Sequence, residues 1–333
     1  MEAMRKGIIS GGNLIMDYVK IIDLLPQEGM LANIETIQAC PGGAVHNCLV
    51  DLARFDAGIP LYAMGLVGTD ETGRRIIDRL ECEGIDTSMI SVTDKAMTSY
   101  TDVMTVKSNG KRTFFHYRGA NQFLDETYFE RIDTNARIFH LGYLLLLDAL
   151  DAPDMEFGTK AAKVLSLLKS KGYATSVDVV SEDSARYKDI ILPSLKYVDY
   201  LTINEVEAER ITGIDIRTKG VIDPGHLKSA AEAIMRCGVT RQLVIHFPEG
   251  ALCMNAQGAY HYEPSIPMCP EDIKGTVGAG DAFCAGILYG VHENLSVKDM
   301  LLTAHASAHF NLKNPTSTGG AVSMKTIREL LTR

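Results

Sequence analysis

In the run Lys274-Gly275-Thr276-Val277-Gly278-Ala279-Gly280-Asp281-Ala282-Phe283, three small residues are followed at once by a carboxylate. Small side chains at 278 to 280 leave the backbone N–H groups unobstructed. The residues from Ala282 to Val291 read as a helix. The free amides would then stand at a helix N-terminus, where unpaired donors and the helix dipole hold an anion. Asp281 falls in the first turn, beside that anion. A carboxylate next to a bound phosphate can accept the proton of an attacking hydroxyl, and the dipole would keep it ionised. The same residues fit a tight strand-to-helix turn with Asp281 as its N-cap, and spacing alone leaves both readings open. Asn204 and Glu207 form a second pair. Three residues apart, they share one side of a helix, and they equally fit a capping box.

The elements that must position these groups follow from periodicity. Residues 6–10 are an apolar run ending at Gly11-Gly12 and read as a first buried strand. Residues 14–22 and 33–39 partly alternate, as strands with one wet face do. After Pro41-Gly42-Gly43, the apolar residues Val45, Cys48, Leu49, Leu52 and Phe55 fall three and four apart, which is helical spacing. A strand over 60–67 precedes a helix carrying Ile76, Ile77 and Leu80. Strands over 100–106 and 112–117 meet at Ser108-Asn109-Gly110, a hairpin signal. From Ala136 onward, strands at 138–141, 174–180, 197–203 and 242–247 alternate with helices at 157–169, 205–212 and 227–237, and further helices follow Gly278.

Repeated β-then-α units imply an α/β fold with a mainly parallel sheet covered on both faces, and chemistry at the carboxyl ends of its strands. Segments 13–40 and 97–119 break that rhythm. They are expected to form a small β-sheet lid inserted into a single domain over 1–333.

Composition narrows the function classes. The 333 residues are 46% hydrophobic and 23% charged, as in a globular protein. The formal charge of −9 and the lack of any basic cluster longer than Gly110-Lys111-Arg112 exclude a nucleic-acid footprint. No apolar run approaches membrane-spanning length, and Leu144 to Leu147 ends at Asp148. The start, Met1 to Gly7, has no apolar core or cleavage signal, so a cytoplasmic protein is expected. The seven cysteines are scattered and never spaced C-x-x-C. Buried free thiols are expected, rather than zinc or disulfides.

Four segments in order give a resemblance. Residues 277–283 resemble the C-terminal signature of the ribokinase-like (PfkB-type) carbohydrate kinases. Gly42-Gly43-Ala44-Val45-His46-Asn47 resembles that family's Gly-Gly-x-x-x-Asn segment, and residues 65–73 resemble the strand-loop-helix after it. Asn204-Glu205-Val206-Glu207 resembles its Asn-x-x-Glu motif. The resemblance implies a three-layer α/β/α core with a β lid, and transfer of the γ-phosphoryl group of ATP to a hydroxyl of a sugar or nucleoside. By motif position it implies Asp281 as base and Gly278, Ala279 and Gly280 as the anion hole. Asp17, Gly43 and Asn47 would contact substrate hydroxyls. Asn204, Thr276 and Gly250 would serve the nucleotide, and Glu207 would hold Mg²⁺ through water. Arg118, after the lid hairpin, could pair with an acidic substrate. Asp178, at a strand end, is a candidate for the nucleotide-metal region, and His46 for the sugar site. A homodimer through the lid edges is expected.

The pattern also breaks. Gly275 stands where the family usually has an aspartate that helps hold a monovalent cation, so potassium activation is not expected. Phe247 replaces a glycine near the nucleotide phosphates, and Ala44 a lysine of ribose-binding relatives. The acceptor stays open among sugars, sugar acids and nucleosides. The alternative is a kinase-like fold that binds ligand and transfers phosphate poorly.

Overall fold

A computed structural model describes residues 5–182 and 184–332. Met1 to Met4, part of the N-terminal reading, lie outside the described residues. The central sheet is built from β1 (Ile8–Gly12), β4 (Leu61–Gly68), β5 (Asp86–Thr93), β8 (Ile138–Leu144), β9 (Ala174–Val179), β10 (Tyr200–Asn204), β11 (Gln242–Phe247), β12 (Gly250–Asn255) and β13 (Tyr260–Pro264). Their spatial order is β13-β12-β11-β10-β9-β8-β1-β4-β5. The pairs from β11 to β5 are parallel, and β12 and β13 add an antiparallel edge. The inner strands are buried on both faces, so they read as apolar runs, such as Ile-Phe-His-Leu-Gly-Tyr-Leu in β8.

Helices cover both faces. On one side pack α1 (Ala44–Arg54), α2 (Glu71–Cys82), α7 (Ala279–His292), α8 (Val297–Leu312) and α9 (Met324–Leu331), joined in a core with Leu49, Ile76, Phe283, Met300 and Ile327. On the other lie α3 (Lys160–Ser170), α4 (Tyr187–Leu195), α5 (Glu205–Thr212) and α6 (Pro224–Arg236), around Leu165, Ile191, Ala208 and Ala230. The chain runs outward from β1 to β4 and β5, then returns to β8 on the other side of β1. The order therefore reverses between β1 and β8, which opens a crevice at their carboxyl ends.

The two segments that broke the β-α rhythm hold a separate four-stranded sheet. Its order is β3 (Ile34–Gly42), β2 (Ile15–Ile22), β6 (Tyr100–Val106) and β7 (Arg112–Tyr117). Asp70, the N-cap of α2, accepts from Gly73 N at 2.8 Å and from Thr98 N at 2.7 Å. One carboxylate thus caps a core helix and anchors the entry to β6. Among the described residues, no helix is long and apolar enough to cross a membrane.

The sequence reading had no strand for β5 or for the β12–β13 hairpin. β5 is an edge strand with exposed Asp86, Ser88 and Val92, and β13 is an edge strand with exposed Tyr260 and Tyr262. The cysteine expectation held in part: Cys48, Cys253 and Cys284 are buried, but Cys82, Cys237 and Cys269 are exposed and Cys40 is half-buried.

Asp51 in α1 is fully buried, and neither of its carboxyl oxygens has a hydrogen-bond partner. Burial, with the charge of Asp281 adding, pushes its carboxyl well above the ordinary value of 3.8. Below about pH 4 both folded and unfolded chains carry the proton, and the group has no effect. Above it the unfolded chain ionises and the folded one resists, so stability falls as pH rises. Asp51→Asn is expected to raise the melting temperature by roughly 2–5 °C at pH 8 and to change it little at pH 4. A gain of equal size at both pH values, in thermal melts across that range, would contradict this origin.

Candidate active site

A cavity of about 420 Å³ lies between the four-stranded sheet and the carboxyl edge of the central one. Ile15 and Asp17 of β2 and Arg112 and Phe114 of β7 line it from the lid side. Gly43, Asn47, Tyr143, Thr276, Gly278 and Asp281 line it from the core side. A comparable cavity of about 460 Å³ lies near the opposite strand ends, around Arg137, Tyr200, Arg241 and Asn255. Among the described residues, no carboxylate lines it.

The mouth of α7 forms the floor. Gly278 is the N-cap, with φ of 77°, and a Cβ there would lie 2.3 Å from Ser317 O. Only glycine fits this left-handed turn against the 317 backbone. At Gly280 a Cβ would meet nothing closer than His246 Cε1 at 3.8 Å. Packing therefore does not require glycine at 280, and its bare Cα leaves open the space in front of the helix. Ala279 N–H reaches only Thr276 O at 3.4 Å. The amides of Gly280 and Asp281 lie in the first turn, where no helix carbonyl is available to them. Asp281 is the third helical residue and not the N-cap, which removes the cap reading.

Asp281 is held from two sides. Tyr143 Oη donates to Oδ1 at 2.5 Å, and Asn47 Nδ2 donates to Oδ2 at 2.8 Å. The three residues sit on β8, α1 and α7, so tertiary packing sets the carboxylate's direction. Burial, with Asp178's charge adding, pushes Asp281 up to about 6, while the bonds from Tyr143 and Asn47 hold it down. The sequence expectation was an aspartate kept ionised by the helix dipole. Loss of water outweighs that dipole. Asp17 is buried and packs over Gly42, where a Cβ would lie 2.1 Å from its Oδ2. Burial first, and Asp281's charge second, push Asp17 up to about 7.

Other expected residues fall nearby or elsewhere. Gly43 caps α1 with φ of 87°, its Cα against Asn13 O. Thr276 Oγ1 accepts from Arg112 Nη1 at 3.2 Å. Asn204 and Glu207 form a complete capping box on α5, and Ser181 Oγ donates to Glu207 Oε1 at 2.8 Å. Burial pushes the Glu207 carboxyl up to about 8. Gly250 starts β12, opposite Phe247 across the hairpin. Arg118 is not brought to the cavity: it donates to Leu145 O at 2.8 Å and faces Asp148 and Glu182, each at 3.7 Å. The cation that does line the cavity is Arg112. His46 is buried at Asn47 Oδ1, 3.1 Å away, and is not among the lining residues.

The two departures have physical explanations. A side chain at Gly275 would begin 2.9 Å from Asn314 O, so an aspartate would force the 314–315 backbone to move. Phe247 is buried in the core and stacks on Tyr262 with centroids 6.2 Å apart. Tyr143 and Arg112 escaped the sequence reading. A tyrosine inside an apolar run reads as core, and an arginine on a hairpin reads as a solvated face.

The model of the pfkB family carbohydrate kinases matches residues 6–323. The chain belongs to that family. It is a sugar kinase, a phosphotransferase with an alcohol group as acceptor. Among its relatives in the family, fructokinase from Klebsiella pneumoniae is 30% identical over 293 residues, covering 83% of this chain and 85% of that enzyme. Ribokinase from Haemophilus influenzae is 24% identical, covering 98% of both. The fold matches Arabidopsis thaliana ribokinase complexed with ribose and ATP, with a TM-score of 0.80 at 22% identity, covering 99% of this chain and 100% of that one. It also matches the Methanocaldococcus jannaschii nucleoside kinase, with a TM-score of 0.75 at 17% identity, covering 99% of each chain. A ribokinase-type α/β fold is thereby established for this member.

If Asp281 is the group that takes the hydroxyl proton, it must be deprotonated to act, and kcat/KM is expected to rise with pH through about 6, the value to which burial pushes its carboxyl. Tyr143→Phe removes a bond that favours the carboxylate and should move the rising limb up by roughly one unit. Rate-pH profiles of both proteins measure this. An unshifted or lowered limb in Tyr143→Phe would contradict it.

Proposed function

We propose that this chain transfers the γ-phosphoryl group of ATP to a hydroxyl of a small sugar or sugar derivative. Asp281 takes the proton of the attacking hydroxyl. The amides of Gly278, Ala279 and Gly280 stabilise the charge on the transferring phosphoryl group. Asp17, Gly43 and Asn47 grip other hydroxyls of the acceptor, and Asn204, Thr276 and Gly250 serve the nucleotide. The observation that carries this reading is Asp281 buried at the open mouth of α7, on the wall of the cavity that Asp17 also lines. Phosphoryl transfer has a loose transition state with charge on the equatorial oxygens, so fixed donors and positioning supply most of the catalysis.

Mg²⁺ would neutralise charge on the phosphates. Its fit rests on Glu207, an oxygen donor of the kind that ion takes, buried and pushed up to about 8. A neighbouring cation reverses such a shift, and Mg²⁺ keeps several waters, so Glu207 would hold it through one of them.

The four-stranded sheet acts as a lid that excludes water and suppresses hydrolysis of ATP. Arg112 on that lid supports a second reading, in which the acceptor is a sugar acid whose carboxylate pairs with the guanidinium. An ADP-release assay over fructose, ribose, 2-keto-3-deoxy sugar acids and nucleosides decides between them. The proposal predicts sugar-stimulated ADP release that falls by roughly 10²–10⁴-fold in Asp281→Asn, with the melting temperature nearly unchanged. Nucleotide binding without stimulated turnover would leave a ligand-binding protein instead.

The lid also supports a homodimer. Its edge strands β3 and β7 and the loop after β2 expose Met30, Leu31, Ile37 and Phe115, the last three by 81%, 63% and 54%. Exposed apolar residues beside open sheet edges favour association. Light scattering at micromolar concentration should give twice the chain mass, and Leu31→Lys with Ile37→Lys should reduce it to one. A monomeric wild-type chain would remove the dimer.

A further inference from the structure

Directly beneath the mouth of α7, four side chains from four elements converge: Cys48 of α1, His140 of β8, Asp178 of β9 and Cys284 of α7. All four are buried, and their ligating atoms lie within 4.8 Å of one another. Cys284 Sγ is 3.9 Å from His140 Nε2, which is 3.6 Å from Asp178 Oδ2. Zinc–sulfur bonds of about 2.3 Å and zinc–nitrogen bonds of about 2.0 Å set neighbouring corners of a tetrahedron roughly 3.3–3.8 Å apart. The cluster therefore already has nearly the size of a tetrahedral site.

We propose that Cys48, His140, Asp178 and Cys284 bind one zinc ion. The inference stands apart from the phosphoryl-transfer reading and runs against the sequence expectation of no zinc.

Two features show a built site and not a chance meeting of core residues. His140 Nδ1 lies 3.1 Å from Ser176 Oγ, which fixes the ring and leaves Nε2 facing the cluster. Asp178 Oδ1 is buried with no hydrogen-bond partner, and Oδ2 lies 3.6 Å from His140 Nε2. A buried carboxylate oxygen without a donor is costly, and a divalent cation removes that cost. Two thiolates and an imidazole select a borderline-soft ion over Mg²⁺ or Ca²⁺.

On binding, both S–H bonds break, two metal–sulfur bonds form, and the two thiol protons pass to solvent. His140 enters neutral through Nε2, and the ring proton that Cys284 and Asp178 favour passes to solvent as well. Cys48 Sγ also gives up its contact with Asp281 O, 3.5 Å away. The ion would tie together the elements that carry Asn47, Tyr143 and Asp281, so it would be a staple under the active site and not a participant in the reaction.

Cobalt(II) titration of the reduced, chelator-stripped chain tests this. About one Co²⁺ per chain is expected, with thiolate-to-cobalt charge transfer and the strong visible bands of tetrahedral cobalt. One equivalent of Zn²⁺ should bleach them. Cys48→Ala and Cys284→Ala should each lose most of the charge-transfer intensity, and His140→Gln should lower affinity at least tenfold. A Cys82→Ser, Cys237→Ser, Cys269→Ser triple variant, altered only at exposed positions, should keep full intensity. The proposal is overturned if the folded wild-type chain, checked by circular dichroism, shows no thiolate–cobalt band. It is equally overturned if the bands survive in Cys48→Ala and Cys284→Ala or vanish in the triple variant.

Discussion

One carboxylate, deprived of water at the start of a helix, constrains everything around it. Asp281 stands in the first turn of α7, between a phenol from β8 and an amide from α1. Burial drives its proton affinity up, and those two donors pull it back, leaving a value of about 6. A base works best when its pKa lies near the working pH, and this balance would suit Asp281 to the role proposed for it. Each bond joins two elements, so the packing of α1, α7 and β8 sets the direction of the carboxylate.

The topology explains why the site lies where it does. The chain leaves β1 in both directions, so the carboxyl ends of β1 and β8 part and leave a crevice. Gly43 lets the chain turn into α1 close to Asn13, and Gly278 lets it turn into α7 against Ser317. The small sheet then brings Asp17 and Arg112 to the same cavity. A charge-bearing wall on a separate sheet opposite a rigid helix mouth is an arrangement suited to closing over a small polar molecule.

Much of this was legible in the sequence because the relevant signals are local. The helix over 205–212 and the strand over 242–247 have the expected bounds, since Gly213 and the Thr240-Arg241 turn punctuate them. The Gly-Ala-Gly-Asp run announced both the open amides and the carboxylate. What stayed hidden depends on distant partners. Tyr143 touches Asp281 across 138 residues and Asn47 across 234. The raised pKa of Asp281 comes from burial that the helix dipole argument could not foresee. Arg118 and Arg112 flank the same hairpin strand, and only the fold shows that the second faces the cavity. Cys48 and Cys284 carry no metal-ligand spacing, because their meeting is a product of α1 packing on α7.

A structure with a non-hydrolysable ATP analogue and a candidate acceptor tests the account most directly. The account predicts the terminal phosphorus against the amides of residues 278–280, with an acceptor hydroxyl at about 2.6–3.2 Å from Asp281. A terminal phosphorus bound away from the start of α7, or an acceptor whose hydroxyls never approach Asp281, would contradict it.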